Sequence, residues 1–328
     1  MNNSAERSFL MQKKIAAFRV AGGFVLAAAL VTAVSLGPSD GAMAVGSPTG
    51  FGAGTTGGAG GSTVTVTTGS DLISNMQASG ARVVRVSGMV SISGMQDVAS
   101  NKTIIGVGSG SGIQGGGGLD IDGVSNVIIQ NLNFRSWSDD GINVQDASTR
   151  VWIDHNTFGT GHDGSVDIKR ASDNITVSWN RFVGSDKTAL LGHSDSNGSQ
   201  DRGHLRVTYH HNWFDGSNQR HPRVRFGNPV HVYNNYYDAV GSYGVASTME
   251  AGVLVEGNYF ENTDSPCELG QGSSPAGRLV QRNNFFSNSG TCASSGSVNS
   301  IPYGYSMDSA SSVKGIVTAG AGVGKVSG

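Results

Sequence analysis

Seven side chains of this sequence have both the type and the crowding that chemistry needs. Three are acids: Asp140, ahead of Gly141-Ile142-Asn143-Val144, and Asp163 and Asp167 in His162-Asp163-Gly164-Ser165-Val166-Asp167. Clustered carboxylates repel one another unless a cation neutralises them. Hard oxygen donors without cysteine or ordered histidine favour Ca²⁺ over zinc. Solvated turn aspartates are the plainer account of the same residues. Residues i and i+4 of a straight strand lie about 13 Å apart, so Asp163 and Asp167 can share an ion only if Gly164-Ser165 is a bend.

The other four are cations: Lys187, Arg220, Arg223 and Arg225, within 39 consecutive residues of a chain in which only 14% of residues are charged. Side chains alternate along a strand, so Arg223 and Arg225 share a face if the strand is regular. Pro222 cannot donate to a ladder and marks a strand start or a bend, which leaves Arg220 outside regular pairing. Surface salt bridging is the ordinary use of such arginines. The eight histidines form no H-E-x-x-H motif, and His155, His210 and His211 read as structural.

What positions these residues is a repeat. Six segments each run as a short β-branched strand, then Asn, any residue and an aromatic, with the Asn at 156, 180, 212, 235, 258 and 284. A weaker copy occupies 126–134. One strand pattern per repeat of about 23 residues implies a solenoid, and alternating rather than helical periodicity excludes helical repeats. The expected fold is all-β, a right-handed parallel β-helix, with successive turns about 4.8 Å apart. The asparagines should form an amide ladder and the aromatics two positions later a stack in the core. Asp140 and Asp163, 23 residues apart, would then sit on adjacent turns. The interval from Asn180 to Asn212 requires an extra loop of about eight residues, the excess of 32 over the repeat period. Short capping helices are expected over 70–80, with an N-cap at Ser70, and over 308–322. Gly50–Gly61 reads as an extended or flexible lead-in.

Residues 1–44 have a basic head (Arg7, Lys13, Lys14, Arg19), an apolar run from Val20 to Leu36 and an Ala42-Met43-Ala44 end, which together read as a secretory signal peptide. Cleavage there leaves a single domain, 45–328, expected to be extracellular, monomeric and not membrane-bound. Its 18 Lys/Arg against 22 Asp/Glu make it a poor nucleic-acid binder. A polyanion would need a local cationic site or a bridging metal. Cys267 and Cys292 are expected to form a structural disulfide in an oxidising compartment.

In combination, V-W-I-D-H (151–155), the D-x-x-x-D of Asp163 and Asp167, Asp186-Lys187-Thr188 and the R-x-P-x-x-R of Arg220, Pro222 and Arg225 resemble the pectate lyases of polysaccharide lyase family 1. Segments 52–58, 100–108 and 126–134 extend the likeness. The resemblance implies a calcium-dependent β-elimination of pectate (polygalacturonate). It implies Asp140, Asp163 and Asp167 as Ca²⁺ ligands, Lys187 and Arg225 on the substrate, and Arg220 as the base. Arginine is protonated at ordinary pH, so an alkaline activity optimum is expected. A calcium-independent pectin lyase, a hydrolase built on a carboxylate pair and a non-catalytic polysaccharide-binding β-helix are the competing readings.

Overall fold

The computed structural model describes residues 46–326; the expected leader lies outside them. The chain coils through three parallel sheets of ten, eight and nine strands, each strand pairing with its counterparts one turn before and after. The repeat period is the reason. Val127, Val151, Ile175 and Val207 fall in register, as do Val230, Val253 and Leu279, and every one of them is fully buried. A column of β-branched and Leu side chains thus runs through the interior, flanked by the aromatic stack. Phe134, Phe158, Phe182, Phe214, Tyr237, Phe260 and Phe286 follow one another at centroid spacings of 4.8, 5.1, 5.2, 4.8, 4.3 and 5.4 Å.

The asparagine ladder forms as expected. Each ladder Asn accepts on Oδ1 from the backbone N–H and Nδ2 of the Asn one turn earlier, in an unbroken series from Asn156 to Asn284. It begins at Asn156 because Leu132, which holds the equivalent place in the weaker copy, offers only its backbone N–H. The residue before each ladder Asn has positive φ: His155 51°, Trp179 52°, His211 53°, Asn234 50°, Gly257 64° and Asn283 56°. Bulky residues adopt that conformation at a cost, and the repeated amide bonds hold it in place.

The helix over the first turn spans Gly69–Gln77 and buries Leu72 and Met76. Its cap is Thr68 rather than Ser70: Thr68 Oγ1 accepts from the Asp71 N–H at 3.2 Å. The helix Ala310–Gly320 packs Val313 and Val317 on Tyr236, along the outer face of the nine-stranded sheet. The lead-in is neither extended nor loose. It makes a 3₁₀ turn at Gly50–Gly52 and docks on the ten-stranded sheet, with Phe51 N–H on Thr208 Oγ1, Gly52 N–H on Thr176 Oγ1 and Thr56 N–H on Asn126 Oδ1. Gly58 and Gly61 permit this approach, since a Cβ on them would lie 2.0 Å from Arg82 O and 1.9 Å from Ala81 O.

The extra length between Asn180 and Asn212 leaves the coil at Gly192 and includes the helical turn Gly198–Asp201. Cys267 and Cys292 are joined in a disulfide. No helix among the described residues is long and apolar enough to cross a membrane.

Candidate active site

The eight-stranded sheet carries the chemistry on its outward face. Its strands run in order through Gly94–Asp97, Gly117–Asp122, Ile142–Gln145, Val166–Ile168, Ala189–Leu191, Arg223–Arg225, Val245–Thr248 and Cys267–Leu269. Alternation sends Ile142, Val144, Val166, Ile168, Leu191 and Val224 into the core. The intervening residues face outward and stack in register: Asp97, Asp120, Asn143, Asp167, Leu190, Arg223, Ala246, Glu268.

Asp139, Asp140 and Asp163 each present one carboxylate oxygen within 4.8 Å of the others. Asp139 and Asp140 precede the strand Ile142–Gln145, and Asp163 precedes Val166–Ile168 one turn later, where Asp163 N–H donates to Asp139 O at 3.0 Å. The bend required of Gly164-Ser165 is present. Gly164 N–H donates to Asp140 Oδ1 at 3.0 Å, and a Cβ on Gly164 would lie 2.0 Å from Asp167 Oδ1 and 3.1 Å from Asp140 Oδ1. Glycine is therefore the residue that lets three acids close around one point.

Asp167 flanks the closest three and is not one of them; its Oδ1 accepts from the Leu190 N–H at 3.2 Å. Asp139, adjacent to Asp140, completes the group instead. Burial raises the Asp140 carboxyl to about 6, with Lys169 opposing the shift and Asp139 and Asp163 adding to it. Burial also raises Asp167, to about 8, and the Asp140 charge adds to the effect. Such a group is short of positive charge. All-oxygen donors and a glycine cradle fit a hard divalent cation.

The cations close around the same point. Lys187 Nζ lies 3.1 Å and Arg220 Nη1 3.7 Å from a single atom, Asp163 Oδ1. Arg220 sits outside the strand that starts at Arg223, with φ of 64°, and its Nε is buried without a hydrogen-bond partner. Beneath it His221 is fully buried. His221 Nδ1 bonds Tyr243 O and Nε2 bonds Ser217 Oγ, both at 2.8 Å. The carbonyl can only accept, so the Nδ1–H tautomer is fixed.

Lys169, which sequence reasoning passed over, stands 3.5 Å from Asp140 Oδ2. Its position two residues beyond Asp167, on the same strand face, was the available signal. Arg225 is placed differently from the rest. It is nearly buried, with Nε on Asp195 Oδ1 at 2.6 Å and Nη1 on Gly192 O at 2.9 Å. Ser274 Oγ bonds both Asp195 and Arg223 Nη2, so Arg223 and Arg225 do share a face. Asp186 accepts from Asn218 Nδ2 at 2.6 Å, which anchors the segment that carries Lys187.

Fold and site together define a β-solenoid with an open, acid- and cation-lined face suited to an extended anionic polymer. The chain matches the pectate lyase family model over residues 9–326 and belongs to that family. It is 37% identical to a pectate trisaccharide-lyase of Bacillus licheniformis over 83% of this chain and 84% of that protein. It is likewise 37% identical to pectate lyase D of Dickeya chrysanthemi, over 75% of this chain and 79% of that one. A crystal structure of a pectate lyase from Bacillus sp. N165 in complex with trigalacturonate superposes with a TM-score of 0.77 at 33% identity, covering 84% of this chain and 99% of the other.

Proposed function

We propose that this protein is a secreted, calcium-dependent pectate lyase that cleaves α-1,4-linked polygalacturonate by β-elimination to 4,5-unsaturated oligogalacturonides, acting within the chain. The observation that carries the reading is the convergence of Lys187 and Arg220 on Asp163 Oδ1 beside the Asp139–Asp140 pair. A hydrolase needs paired carboxyls as acid and base and leaves the arginine unused. A pectin lyase, working on uncharged esters, leaves the acidic group unused. A binding protein needs neither in this arrangement.

Asp140 and Asp163, with Asp139 and Asp167 beside them, would hold the ion. Calcium bound there would supply Lewis-acid polarisation of the substrate carboxylate and so acidify the C5 proton. Lys187 gives a charge-assisted hydrogen bond to that carboxylate. Arg220, as the base, takes the C5 proton; the electron pair forms the C4–C5 double bond as the C4–O bond breaks, and the departing oxygen takes a proton from water. Its Nη1 is already aimed at the acidic group by the left-handed backbone at 220 and the buried His221 below. Arg225 is a substrate-binding residue through its remaining nitrogen, Nη2, and holds the Gly192–Asp195 turn against the groove. The leader at 1–44 and the disulfide both suit export.

The test is incubation with polygalacturonate, following ultraviolet absorbance of the unsaturated product with and without a chelator. Absorbance that chelation abolishes supports the reading. Absorbance that survives chelation supports the pectin-lyase type. Reducing ends without absorbance support a hydrolase, and neither signal a binding protein.

A further inference from the structure

The loop that leaves the coil at Gly192 brings a carboxylate back onto Arg225. Leu191 pairs with Val224, so Gly192 lies against Arg225, one turn further on. A Cβ on Gly192 would lie 2.9 Å from Arg225 Cβ and 3.0 Å from Arg225 O, and its φ is +85°. The close approach and the left-handed backbone both call for glycine. Three residues later Asp195 Oδ1 takes Arg225 Nε at 2.6 Å, while Gly192 O takes Nη1 at 2.9 Å. A second segment braces the carboxylate. Ser274 is 5% exposed and follows the strand Cys267–Leu269, two turns beyond Arg225. Its Oγ donates to both Asp195 oxygens, at 2.8 and 2.7 Å, and accepts from Arg223 Nη2 at 2.8 Å. Backbone bonds between Gln271 and Ser274, at 3.2 and 3.1 Å, close the turn that carries it.

The bridge is not needed to tie the loop down. Its far end is held separately by Arg202, on Glu250 at 3.0 and 2.7 Å and over the Phe226 ring. The Asp195 side chain is 36% exposed, and ion pairs open to solvent add little to stability. What the bridge does settle is the orientation of Arg225. A free arginine loses rotamer entropy when it grips a ligand and can present its fork in several ways. Here two of the three guanidinium nitrogens are spent on the loop, and the plane is fixed before substrate arrives. Only Nη2 remains to meet a sugar acid or hydroxyl, in a pre-organised position.

We infer that Asp195, braced by Ser274, is a positioning residue for this reaction: it fixes the Arg225 guanidinium so that Nη2 is the donor left for substrate. The inference rests on the lyase reading above. Asp195 itself touches neither substrate nor metal. It acts through Arg225, so its loss weakens substrate binding and leaves the acids and the base in place.

The experiment is a double-mutant cycle on the whole protein with calcium and polygalacturonate: wild type, Asp195→Ala, Arg225→Ala and the pair, with the calcium midpoint of each. Asp195→Ala should raise KM about tenfold with kcat held within about twofold, the scale of one charge-assisted hydrogen bond at a part-exposed site. The calcium midpoint should not move. In the Arg225→Ala background the same change should add nothing, because the group it positions is gone. Asp195→Asn keeps an acceptor oxygen for Nε and should fall between wild type and Asp195→Ala; it carries the test if the alanine variant does not fold. Additive losses, a fall confined to kcat, or a shifted calcium midpoint would overturn the inference while the lyase reading stands. A wild type that makes no unsaturated product would sink the lyase reading, and the inference with it.

Discussion

Arg220 Nη1 stands 3.7 Å from Asp163 Oδ1, two turns along the coil, and Lys187, one turn away, reaches the same oxygen at 3.1 Å. The carboxylate proposed to hold the cation is thus in ion-pair contact with the two residues proposed to meet the substrate.

Arg220→Lys should cut turnover by about 10²–10⁴-fold, the range lost with a general base, while circular dichroism and the unfolding midpoint stay unchanged. Ultraviolet product absorbance measures the rate. Wild-type-like rates in a folded Arg220→Lys protein would remove Arg220 from the role.

Gly164→Ala places a methyl group 2.0 Å from Asp167 Oδ1 and 3.1 Å from Asp140 Oδ1. The acids must move apart, and a displacement of about 1 Å at a site costs on the order of 10²-fold in rate. Isothermal titration with calcium should show weakened binding as well. Unchanged affinity would mean that these carboxylates do not ligate the ion.

Asn180→Ala breaks the ladder at its interior. It leaves Asn156 N–H, Asn156 Nδ2 and Ile153 O, all buried, without their partner. At about 1–3 kcal/mol for each unsatisfied group, the loss should be roughly 3 kcal/mol or more in urea unfolding. Asn284→Ala, at the half-exposed end of the ladder, should cost less. Equal losses would show that the ladder is not what bears the load.

His221 gives a pH dependence of stability. Burial pushes its imidazole down from 6.5 to about 4. Between those values the unfolded chain takes up a proton that the folded chain refuses, so stability falls as pH is lowered through that window. The loss saturates near pH 4 at about 3 kcal/mol. His221→Asn should flatten the slope of unfolding free energy between pH 6.5 and 4, and an unchanged slope would assign the dependence to other groups.

The period, the amide ladder, the aromatic stack and the core columns were all legible in the sequence, because in a solenoid each rests on one residue type recurring at one interval. The registers that place Asp140 and Asp163 one turn apart follow from the same arithmetic, as does Arg220 standing outside its strand. Tertiary structure alone decided which oxygens meet. Asp139 joins Asp140 and Asp163 while Asp167 stands to one side, because the outcome turns on the path of the bend at 163–165, which glycine permits but no periodicity describes. Lys169 against Asp140 and Arg225 spent largely on Asp195 are likewise lateral contacts between turns. They are set by side-chain reach over a few ångströms, whereas the sequence records only how far apart residues lie along the chain.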